Sequence, residues 1–124
     1  MKLVLQPEGS SQCGQACIAM IAGVSLKRAI EAVGHEHATN TKEVVDALRS
    51  LGIYCNDKLV RFSRRRPNIP PKAIVHICRS GVVTERRRPQ SHWMVSVDGR
   101  IFDPGGRYPH GFDNWKIKSY LEIQ

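Results

Sequence analysis

The sequence predicts one α+β domain in which helices from the N-terminal half pack on a mostly antiparallel sheet from the C-terminal half. Three observations carry this expectation. Up to Leu51 apolar residues recur at helical spacing, with capping residues or glycines at the ends of the runs. After Gly52 they gather into short β-branched and aromatic runs separated by Pro, Gly or charged segments. The two kinds of segment do not alternate, which favours segregated layers over a doubly wound parallel sheet. A length of 124 residues with 41% hydrophobic content suits one domain, residues 1–124, with enough apolar material for a core.

The first helix is expected from about Gln12, with Ser10 or Ser11 as its N-cap and Gly23 as its stop. Its buried stripe is Cys17, Ile18, Ile21 and Ala22. A second helix is expected over 26–33, ended by Gly34. Asn40, three residues before Glu43, forms a capping-box pattern that opens a third, with Val44, Val45, Leu48 and Leu51 facing inward and Gly52 after it. Strands are expected at 53–54, 59–62, 73–78, 92–97 and 100–102.

Asp98-Gly99 is a two-residue hairpin signal, and it sets the register of the last two strands: Val97 opposite Arg100, Val95 opposite Phe102 and Met94 opposite Asp103. Trp93, Val95, Val97 and Phe102 then share the core face, while His92, Met94, Ser96, Ile101 and Asp103 share the other. His92 and Asp103 become diagonal neighbours, close enough for a carboxylate to hold an imidazole N–H. A cysteine in the first turn of a helix, here Cys13, meets unpaired N–H groups and the positive end of a dipole, both of which favour a thiolate. Gly14 after it leaves room for an approaching carbonyl. Together these supply the nucleophile, base and orienting carboxylate of a Cys-His-Asp site.

Gln6, the run Gln12-Cys13-Gly14-Gln15-Ala16-Cys17, then His92-Trp93-Met94-Val95 and Phe102-Asp103-Pro104-Gly105-Gly106 resemble the double-glycine leader peptidases that process bacteriocins, a family of papain-like cysteine peptidases. The resemblance implies a papain-like fold, Cys13 as nucleophile, His92 as general base and then acid, Asp103 as its orienting partner, and Gln6 as side-chain donor to the oxyanion. Gly14 and Trp93 are expected beside the substrate. Two positions depart from the family pattern: Gln6 lies one residue farther from the cysteine, and Gln12 stands where an acidic residue is usual. Gln12 and Gln15 are therefore alternative donors. The same parts can cleave a peptide or isopeptide, deamidate a side chain, or transfer an acyl group to an amine, and fold analogy does not choose among these.

The formal charge of +8, from 19 Lys and Arg against 11 acids, favours an acidic peptide or protein substrate. Arg64 to Arg66 and Arg86 to Arg88 concentrate that charge, either to recruit such a substrate or as solvated loops. A nucleic-acid-binding module is the weaker alternative, because aromatic residues make up 6% of the chain and only Phe62 borders a triplet. No segment has the length of a membrane span, and residues 1–5 are too short for a signal peptide, so the cytoplasm is expected, with export lacking an N-terminal signal as the alternative. Cysteines 13, 17, 55 and 78 are expected reduced. Zinc held by some of Cys13, Cys17, His35, His37, Cys55 and Cys78 is a rival reading, but paired C-x-x-C spacing is absent. No metal or cofactor is expected.

Overall fold

Helix boundaries follow local capping chemistry in the computed structural model, which describes residues 1–63, 68–83 and 89–124. Both arginine triplets, Arg64 to Arg66 and Arg86 to Arg88, lie outside the described residues. Helix α1 spans Cys13–Ala22 and ends on Gly23, whose φ of 68° is the left-handed conformation that glycine adopts without strain. Helix α2 spans Leu26–Val33, capped by the Ser25 side chain on Arg28 N–H. Helix α3 spans Thr41–Ser50 and carries the full capping box between Asn40 and Glu43. The start of α1 corrects an expectation: neither Ser10 nor Ser11 caps it. Gln12 is the N-cap residue and makes no side-chain cap bond, because the Ser10 hydroxyl instead accepts weakly from Gln12 N–H at 3.4 Å.

Five strands follow: β1 Val60–Arg61, β2 Lys72–Val83, β3 Pro89–Val97, β4 Arg100–Phe102 and β5 Trp115–Glu122. They form one antiparallel sheet in the order β1-β5-β2-β3-β4. The hairpin has the expected register, Val95 opposite Phe102 and Val97 opposite Arg100. Asp98 and Gly99 take φ of 49° and 82°, as a type I′ turn requires. Residues 53–54 are not a strand. There the chain makes a single bridge, Cys55 to Ile123, and Tyr54 is exposed.

Strand β5 was not expected, yet it lies between β1 and β2. A bulge explains its uneven pattern: Ile117 pairs with Ile77 and Ser119 with His76, leaving Lys118 as the extra residue. Trp115, Ile117 and Tyr120 therefore all join one face of the sheet, while Leu121 and Ile123 join the other.

The sheet has two apolar faces where one core face was expected. On the first, Ile74, Trp93, Val95, Phe102 and Leu121 share one core with residues of all three helices. On the second, Ala73, Val75, Ile77, Met94 and Tyr120 are buried with Ile101, Phe112 and Trp115 around them. Alternation along β3 thus sorts Trp93 and Val95 to the helices and His92 and Met94 to the opposite side. No helix among the described residues is long and apolar enough to cross a membrane.

Candidate active site

Asp103 follows β4 directly and is buried, its side chain 3% exposed. Its carboxylate is fully engaged. Oδ1 accepts from His92 Nε2 at 2.7 Å and from Gly105 N–H at 2.9 Å, and Oδ2 accepts from Arg107 N–H at 2.9 Å and Tyr108 N–H at 3.0 Å. Gly105 approaches so closely that an added Cβ would lie 3.3 Å from Oδ1. Burial works against the charge, but the bonds from His92 and the three main-chain groups outweigh it and hold the carboxyl well below its usual range.

His92 stands on β3 opposite Ile77. Burial favours its neutral form, and this is the largest single effect, yet Asp103 and Cys13 together push the imidazole up to about 9 through hydrogen bonding and charge. Asp103 takes Nε2, which leaves Nδ1 as the nitrogen available to the Cys13 thiol. Phe112 and Trp115 border the same ring, with centroids 6.3 and 6.4 Å away.

Cys13 is the first residue of α1 and half-buried. Gln12 makes no side-chain cap bond to the first turn, and the first intrahelical bond runs from Ala16 N–H to Gln12 C=O. A helix start carries unpaired N–H groups and the positive end of a dipole, which can steady a developing oxyanion. Cys17, one turn deeper, is fully buried, and that burial pushes its thiol up, with Cys13 and Asp103 adding to the effect.

The other expected residues divide. Gln6 is tied to the site by its main chain, its N–H donating to Pro104 C=O at 2.9 Å. Its side-chain amide donates to Ser10 C=O at 2.8 Å and more weakly to the Ser10 hydroxyl at 3.5 Å, and its Oε1 is buried without a partner among the described residues. Gln15 is fully buried and spends both amide hydrogens on the carbonyls of His35 and His37, at 3.1 and 2.8 Å, so it has none left for an oxyanion. Gln12 makes no side-chain cap bond, and its Oε1 is buried and unpartnered.

Gly14 is small for a packing reason. A Cβ there would fall 2.1 Å from Thr39 Oγ1 in the α2–α3 connection, which therefore sets the size of residue 14. Trp93, also expected at the substrate, is buried on the helix side with its ring 4.7 Å from that of His76. Strand alternation placed it there, one residue out of phase with His92. His76 is partly buried and pushed down by that burial.

The residues considered as zinc ligands are dispersed: His35 and His37 lie between α2 and α3, Cys55 bridges to Ile123 and Cys78 is on β2. Among the described residues no three His, Cys, Asp or Glu side chains gather as a metal site would need. All four cysteines are free thiols. Sequence reasoning missed Phe112 and Trp115 beside His92. The alternation Trp115-Lys116-Ile117-Lys118-Ser119 was the signal that could have found the second. Compared with known proteins, the chain matches no family model and no curated protein.

Proposed function

We propose that this protein is a cysteine hydrolase of peptide or amide bonds, built on a papain-like fold and related in its chemistry to the double-glycine leader peptidases. One observation carries the reading: a histidine locked to a fully engaged buried aspartate also interacts with a cysteine at an uncapped helix start. In this reading the Cys13 thiolate attacks the carbonyl and forms a C–S bond. The helix-start N–H groups hold the oxyanion, joined by the Gln6 amide once it gives up its weak 3.5 Å bond to the Ser10 hydroxyl. His92 gives its proton to the departing amine as the C–N bond breaks. It then takes a proton from water, which attacks the thioester carbonyl, and as the C–S bond breaks the acid product leaves and the Cys13 thiolate returns. Asp103 keeps Nε2–H directed toward itself and so keeps Nδ1 available. The net positive charge supports an acidic peptide or protein as the substrate class, and the free thiols suit the reducing cytoplasm.

The test is to incubate wild type and Cys13→Ala with a proteome under reducing conditions and map new peptide termini and one-dalton Gln-to-Glu changes by mass spectrometry. New termini with wild type alone are the expected result, and one-dalton changes alone would move the assignment to a deamidase. Neither change, together with iodoacetamide labelling of Cys13 no faster than that of free cysteine, would overturn the reading.

A further inference from the structure

The second face of the sheet carries a cavity of about 660 Å³, a size suited to a ligand group. Buried Ile77 and Met94 form its floor, Phe112 and Trp115 its walls, and exposed Tyr108 and Lys116 its rim. Its position relative to the proposed chemistry makes it specific. His92 links the two regions: it interacts with Cys13, and its ring lies 6.3 and 6.4 Å from those of Phe112 and Trp115, which line the cavity. In an acyl transfer the acyl half of the substrate stays on Cys13, whereas the departing amine must lie against the imidazole that protonates it. Chain leaving past His92 therefore runs into this groove.

We infer that the groove is the leaving-group subsite and selects a large apolar residue immediately after the scissile bond, with a carboxylate beyond it for Lys116. This rests on the hydrolase reading and adds the substrate class. The lining supplies apolar and aromatic surface for one bulky side chain, and a cation at the rim complements an acid in a chain whose own charge is +8. The reaction remains a hydrolysis, in which the new amine carries the selected residue and the new carboxylate comes from the Cys13 thioester.

A synthetic library of acetylated nonapeptides, randomised at every position, tests the inference when cleavage is read by sequencing the new N-termini. Wild type is expected to release N-termini enriched about tenfold in Phe, Leu or Met over Gly or Lys, followed by Asp or Glu. Lys116→Glu should reverse the acidic preference, and Tyr108→Ser, at an exposed position, should weaken the apolar one. Trp115→Ala should erase the apolar preference, and thermal unfolding would verify that it folds. Cleavage that depends on Cys13 but shows no preference after the bond, or one that survives all three variants, would overturn the subsite and leave the hydrolase standing. Absence of Cys13-dependent cleavage in both library and proteome would overturn the hydrolase, and the subsite with it.

Discussion

The two halves of the site are built in opposite ways. Around Asp103 each carboxylate oxygen has two donors, three of the four from the main chain. Near Cys13 the helix is uncapped, and Gln6, Gln12, Gln15 and Thr39 each keep a buried oxygen without a partner. Unpaired buried polar atoms cost stability, and a fold that satisfies one end of a site so completely has left the other end unsatisfied. The contrast separates a carboxylate held by a full set of donors from a helix start that its own N-cap residue leaves without a side-chain bond.

The largest effect is expected from disturbing the satisfied half. Asp103→Asn should lower turnover by about 10⁴-fold, because an amide no longer enforces the His92 tautomer. It should also cost roughly 2–3 kcal/mol, because main-chain donors lose a charged acceptor. Steady-state kinetics and urea unfolding would measure both, and an unchanged unfolding midpoint would show that the cradle is not structural.

A pH titration sharpens the same comparison. His92 is raised from 6.5 to about 9, so its contribution is complete below about pH 6.5 and is lost as pH rises through about 9. At about 1.4 kcal/mol per unit this amounts to about 3 kcal/mol at most. Asp103 is depressed, so its contribution is present above its ordinary value of 3.8 and is lost on acidification below it. Wild type should therefore lose more stability than His92→Gln between pH 6 and pH 10. Parallel curves would contradict the shift.

The smallest effect is expected in α1. Gly14→Ala drives a Cβ into Thr39 Oγ1 and should cost about 1–3 kcal/mol by overpacking. Thr39→Ala should recover part of that loss in the double variant, since it removes the nearest atom. No recovery in urea unfolding would place the strain elsewhere.

Local chemistry made much of this fold legible. The capping box at Asn40, the glycines after α1 and α2, and the Asp98-Gly99 turn each act within a few residues, and each lies where the sequence predicts. The hairpin register then brought His92 to Asp103 from sequence alone. What stayed hidden depends on distant partners. β5 lost its simple alternation to the bulge, and Gly14 took its meaning from Thr39, across the α2–α3 connection. The three main-chain donors to Asp103 carry no side-chain signature, so no residue type announces them.

The extra residue at Lys118 divides β5 into two phases, and hence into two separate obligations. Positions 120–123 carry Leu121 and Ile123 into the helix-side core, where substitution endangers the fold. Trp115 and Ile117 instead pack on the second cluster, on the opposite face of the sheet. One strand thus serves two cores, and a substitution at Trp115 or Ile117 is felt by the second cluster while leaving the helix-side packing of Leu121 and Ile123 in place.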